Sequence, residues 1–101
     1  MIYYQINLRV KKDIENEWLE WMKKTHIPEV LKTNYFISHK ISKIIKPTCE
    51  EGTVVYSVVY KCDSFEKYME YFTKAANNLQ KKHTDKFNGK VTAYRKVMEA
   101  V

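Results

Sequence analysis

Ten consecutive residues, Thr53–Cys62 (TVVYSVVYKC), restrict this chain more than any other stretch. Valine, tyrosine and threonine dominate, and these side chains fit a pleated strand best. Alternation puts Val54, Tyr56, Val58 and Tyr60 on one face and Val55, Ser57 and Val59 on the other, so both faces are largely apolar. Such a strand wants cover on both sides. The chain has 101 residues, enough for a single domain with one core, residues 1–101. Its own helices can cover one face, and the second face then needs a partner.

The flanking segments supply the cover. Residues 2–10 alternate, with Ile2, Tyr4, Ile6, Leu8 and Val10 facing one way and Tyr3, Gln5, Asn7 and Arg9 the other. A helix is expected after Asp13, its N-cap, with Glu15 and Glu17 in the first turn. Ile14, Trp18, Trp21, Met22 and Thr25 form its apolar stripe, with Leu19 and His26 at the edge. Pro28 disfavours helical geometry at Ile27, so this helix should end or kink near His26 and restart through Lys32. Tyr35 to Ile45 reads as a strand, and Pro47 to Gly52 as a turn into the two-faced strand. Asp63 or Ser64 caps a second helix with the stripe Phe65, Tyr68, Met69, Phe72, Ala76 and Leu79. Asn88-Gly89 ends it, and Lys90 to Met98 alternates as a last strand.

The order β-α-β-β-α-β predicts an α+β, ferredoxin-like fold: a four-stranded antiparallel sheet with both helices on one face. The uncovered apolar face of Thr53–Cys62 is most economically buried against a second copy, which predicts a homodimer through sheet faces. No apolar run approaches membrane-spanning length and the first residues lack a signal-peptide pattern, so a cytoplasmic protein is expected. Cys49 and Cys62 fit reduced thiols, because a hairpin turning near Glu50–Gly52 separates them beyond disulfide reach.

Several stretches together resemble a known family. The run Glu17-Trp18-Leu19-Glu20-Trp21-Met22, the step His26-Ile27-Pro28, the TVVYSVVY strand and the closing GKVTAYRKV are similar to the small bacterial proteins of domain-of-unknown-function family 4286. That family is similar in turn to the dimeric α+β-barrel superfamily, which includes antibiotic-biosynthesis monooxygenases, haem-degrading monooxygenases, EthD-like proteins and muconolactone isomerases. The resemblance implies the same fold and a dimer, and leaves the reaction and any cofactor unassigned. The His26-Ile27-Pro28 step resembles one closing the first helix of EthD-like members. Haem-degrading members place a histidine ligand just after a Lys-Ala-Ala-like run. Here Asn77 follows Lys74-Ala75-Ala76, and His83 is the one nearby replacement.

His26 is the candidate catalytic residue, since a histidine near neutral pKa can serve as acid or base. The competing reading has it interact with the last carbonyls of its helix. Trp18, Trp21 and Met22, with Tyr4, Phe36 and Phe72, could line an apolar ligand pocket between the first helix and the sheet, or simply be core. Asn7 and Arg9 could hold an anionic or carbonyl group, or present a solvated or dimer-facing strand. His39 and His83 read as isolated surface or strand residues. No metal-ligand spacing, phosphate loop or nucleophile elbow occurs. The net charge of +6 reflects lysines such as Lys40, Lys43, Lys46, Lys81, Lys82, Lys86, Lys90 and Lys96, with Arg95. A nucleic-acid interface is disfavoured, because Thr53–Tyr60 lacks the glycine-containing aromatic run of RNA-binding sheets. Two functions therefore stand: a dimer that binds or transforms a small molecule in a helix–sheet pocket, or a non-catalytic dimeric interaction module.

Overall fold

The computed structural model describes residues 1–101. Four strands, β1 (Ile2–Lys11), β2 (Ser38–Lys43), β3 (Thr53–Cys62) and β4 (Val91–Glu99), form one sheet in the order β2-β3-β1-β4, with every neighbouring pair antiparallel. Helix α1 spans residues 15–32 after a 3₁₀ turn at Lys12–Ile14, and helix α2 spans residues 65–86. The arrangement is the ferredoxin-like α+β fold that the alternating segments predict.

The centre of the sheet is the β1–β3 ladder. Its inward pairs are Ile2 with Cys62, Tyr4 with Tyr60, Ile6 with Val58, Leu8 with Tyr56, and Val10 with Val54. All ten side chains are buried beneath the helices. On the outer face Val55, Ser57 and Val59 stay partly exposed, beside Gln5, whose amide donates to Asn7 Oδ1 and Ser57 Oγ.

Both helices depart from plain α-helical spacing in the same way. Each contains one wide π turn, at Met22–His26 in α1 and at Phe72–Ala76 in α2. A π turn inserts a residue and rotates everything beyond it. The buried positions accordingly step by five across it, from Met22 to Ile27 and from Tyr71 to Ala76. In α1 the turn also resolves the proline problem. Ile27 keeps helical angles (φ −60°, ψ −45°) and its N–H bonds the carbonyl of Met22, five residues back, so α1 runs on to Lys32 without ending at His26. The widened turn leaves room for a proline ring that would otherwise strike the preceding turn.

Three further expectations change. The α2 stripe is rotated: Tyr71 is buried (3% exposed), while Phe65, Met69 and Phe72 face outward, Phe72 at 51%. Strand β2 is shorter than 35–45, because its isoleucines sit on an edge with little to pack on; Ile37 and Ile45 are exposed and only Ile41 is half-buried. Asp13 lies inside the 3₁₀ turn and caps nothing, whereas Ser64 Oγ accepts the Lys67 N–H at 3.2 Å and starts α2. Gly89, at φ +75°, makes the turn into β4, and Asn34, at φ +67°, follows the end of α1.

The rotated stripe has a measurable consequence. Tyr71→Ala should cost about 3–5 kcal/mol of stability, the range for emptying a buried aromatic site. Phe72→Ser should change it by no more than about 0.5 kcal/mol, as for an exposed position. Urea unfolding of both variants would decide it. The reverse order would mean that the π turn in α2 is misplaced.

Candidate functional site

One gap between the helices and the sheet lies beside the centre of β1. There a cavity of about 30 Å³ lies between α1, α2 and the sheet. Its apolar wall comes from Ile6, Leu8, Met22, Val30 and Val58. Its polar groups are Tyr4, Tyr60, Tyr71, His26, Gln80, His83 and Arg95. Each arrives by a traceable route. Tyr4, Tyr60 and Arg95 are on the inward faces of β1, β3 and β4, where Arg95 pairs with Ile6 across the ladder. His26 closes the π turn of α1, and Gln80 and His83 follow the π turn of α2. Without the inserted residues these side chains would be turned about a quarter of the way round their helices.

The aromatic groups around the cavity are held in contact. His26 stacks on Trp21, with ring centroids 5.3 Å apart and planes at 27°. Its ring is 5.8 Å from that of His83. Trp18 Nε1–H donates to His83 Nε2 at 3.0 Å. Tyr4 packs against Phe36, Tyr60, Tyr68 and Tyr71 at 5.1–6.1 Å. Tyr60 carries the one buried side-chain polar atom without a hydrogen-bond partner, its hydroxyl. Such a group costs free energy and calls for an explanation.

Burial sets the protonation states. Desolvation chiefly, and then competition with the neighbouring His83 imidazole for a proton, lowers His26 to about 4, with Arg95 and Lys82 adding to the effect and Glu29 opposing it. Desolvation and then Arg95 lower His83 to about 4 as well. Both imidazoles are therefore neutral at physiological pH. Burial raises the phenols of Tyr60 and Tyr71 well above the usual range. Tyr4 is raised too, although Arg95 and a hydrogen bond from Gln80 restrain it. The cavity thus holds neutral bases and neutral phenols beside one permanent cation.

Of the residues singled out from the sequence, Tyr4, Met22 and His26 line this cavity. Trp18 does not: it is fully buried against Tyr56 and reaches the site only through His83. Trp21 backs His26, and Phe36 is core beside Tyr4 and Tyr71. Phe72 is on the outer side of α2, displaced by the π turn. Asn7 and Arg9 are on the opposite face of the sheet, because odd-numbered positions of β1 point away from the helices. They line an open hollow of about 350 Å³ with Val55, Thr92, Ala93 and Tyr94. There Arg9 is 3.8 Å from Glu50.

His83 is the main correction. It is neither isolated nor superficial, since it joins His26, Trp18 and Trp21. Tyr60, Tyr71, Gln80 and Arg95 belong to the site without having been singled out for it. The even-numbered alternation of β3 could have flagged Tyr60, but only the chain path brings α2 and β4 to the same place. Lys43, Lys81 and Lys82 are paired with Glu15, Asp85 and Glu29. No three His, Cys, Asp or Glu side chains gather closely enough to hold a metal. No helix is long and apolar enough to cross a membrane.

The sheet, the two helices on one face and the interlayer cavity define a ferredoxin-like α+β protein. Within that class the chain belongs to the family Domain of unknown function (DUF4286), whose model it matches over residues 1–101. Solved structures share the fold at low identity. An EthD-family protein from Bacillus halodurans is 20% identical, with TM-score 0.67 and 100% coverage of both chains. A dimeric ferredoxin-like protein from an uncultured marine organism is 16% identical, with TM-score 0.69, covering 100% of this chain and 95% of that one. A mutant form of SnoaB, a cofactor-independent oxygenase from Streptomyces nogalater, is 10% identical, with TM-score 0.64 and coverage of 98% and 92%. Comparison with curated proteins gives no match.

The half-buried histidines make stability depend on pH. Their folded values, about 4, lie below the ordinary 6.5, so between those limits the native state binds fewer protons than the unfolded chain. Their stabilising contribution is complete above pH 6.5 and is lost as pH falls toward 4. Going from about pH 7 to about pH 5 should cost roughly 2–4 kcal/mol for the pair. Urea unfolding at both pH values, repeated on a His26→Gln/His83→Gln variant, measures it. An equal loss in the variant would place the pH dependence elsewhere.

Proposed function

We propose that the chain binds a small molecule in the cavity between the helices and the sheet, with His26 as the acid–base group. One observation carries this reading: two neutral histidines, a cationic arginine and a partnerless buried hydroxyl converge on one apolar-walled space. A plain core would place apolar groups there, because unpaired buried polar atoms destabilise. Cavities with a few convergent polar groups and shifted histidines are where ligands bind. His26 accepts no side-chain hydrogen bond and is neutral, so its ring can take a proton from a bound molecule. The similar SnoaB is described as a cofactor-independent oxygenase, which accords with chemistry done by side chains alone.

Mapping a mixed set of small fragments onto the protein by amide chemical shifts tests this. The expected response is confined to Met22, His26, Tyr60, His83 and Arg95. Shifts only on the outer sheet face, or none, would sink the proposal.

The same reading includes a homodimer through the outer sheet face. Tyr3, Val55, Val59 and Met98 remain partly exposed there and Tyr94 is 67% exposed, an apolar set at the centre of a mixed surface. The similar marine protein is described as dimeric. The free thiols of Cys49 and Cys62 suit a reducing, cytoplasmic setting. Light scattering after size exclusion should give twice the chain mass, and Val59→Lys should halve it. A wild-type monomer, or a variant of unchanged mass, would remove the dimer from the proposal.

A further inference from the structure

We propose that the cavity takes the carboxylate head of a small organic acid, and that the indole N–H of Trp18 holds His83 as a hydrogen-bond donor to it. This rests on the reading of the cavity as a ligand site. It adds the chemical class of the ligand and a positioning role for a residue outside the cavity.

Size limits the head group. About 30 Å³ holds roughly two water molecules, which is the room a carboxylate needs and less than any ring requires. A second hollow of about 210 Å³ adjoins the cavity, sharing His83 and Arg95, and runs between the end of α2 and β4 past Thr84, Phe87 and Asn88. A head inside and a short body outside fit this pair of spaces.

Charge selects the head. Arg95 is a permanent cation, no acidic side chain lines the cavity, and Arg95 makes no ion pair. A guanidinium presents a planar fork that matches a carboxylate. The Tyr60 hydroxyl, buried without a partner, lacks an acceptor that a carboxylate oxygen would supply.

The tautomer follows from the Trp18 bond. An indole N–H can only donate, so His83 Nε2, 3.0 Å away, must accept and carry no proton. The proton of the neutral ring is then on Nδ1, which makes that nitrogen a donor. Protonating Nε2 as well would set two N–H groups against each other. His83 is thereby excluded as the base. His26, whose ring has no such bond, is left for proton transfer. The groups facing His83 are His26, Trp21 and Phe87 by ring contact and Arg95 by charge. Arg95, Tyr60 and His83 give three donors for the oxygens of one head group.

Histidine ring ¹H–¹⁵N correlation spectra, recorded with and without acetate, test both parts. In the wild type His83 should show a protonated Nδ1 and bare Nε2, and acetate should shift the His83, Tyr60 and Arg95 signals saturably. Trp18→Phe should mix the His83 tautomers and weaken acetate roughly tenfold, the effect of misplacing one hydrogen bond. Arg95→Gln, at an exposed position of the edge strand β4, should weaken acetate at least tenfold while leaving the tautomer unchanged. A protonated Nε2 in the wild type would overturn the Trp18 role. Equal acetate binding by wild type and Arg95→Gln would overturn the carboxylate site. If mapped fragments occupy the cavity and acetate does not displace them, the ligand class alone is wrong. If no fragment binds there at all, the binding reading itself fails.

Discussion

The structure depends on the inward ladder between β1 and β3. Five apolar pairs, from Ile2 and Cys62 to Val10 and Val54, form a continuous floor along the middle of the sheet. Everything else is arranged to cover it. A floor ten residues long needs more than one helix, and the two crossovers place α1 and α2 side by side upon it. At roughly 1–3 kcal/mol for each large buried side chain, this layer is the principal stabilising term.

The π turns show what that cover demands. A straight α-helix would bring Thr25 or His26, and Ala75, to the positions where Ile27 and Ala76 now sit. One inserted residue in each helix restores apolar contact with the floor. It also turns His26 into the interlayer space and sets the phase that brings His83 opposite it. Packing and site geometry therefore have one cause. The cavity is left among the bulky Tyr4, Tyr60 and Tyr71, and burial holds the histidines and phenols lining it in neutral forms beside the cationic Arg95.

Much of the architecture was legible in residue patterns. Period-two alternation located β1, β3 and β4, and the two-faced character of Thr53–Cys62 identified a central strand. Ser64 and Gly89 marked boundaries because capping and positive φ are local requirements. The site was less legible. His26 stood out because a proline follows it two residues later, yet the same proline suggested a helix end that the π turn averts. Phe72 and Tyr71 are adjacent and equally aromatic, and only the inserted turn decides which is buried. His83 read as isolated because its partners, Trp18 and His26, are 65 and 57 residues away in the chain.

What the sequence determined by itself, then, is the set of strands, the antiparallel plan and the faces of β1 and β3, since these follow from alternation between nearest neighbours. Helix phase, the meeting of His26 with His83, the placement of Arg95 and Tyr60 around one cavity, and the loss of charge on both histidines were decided only by the tertiary structure. The physical reason is that each depends on packing across separate elements and on exclusion of water, neither of which any short stretch of residues encodes.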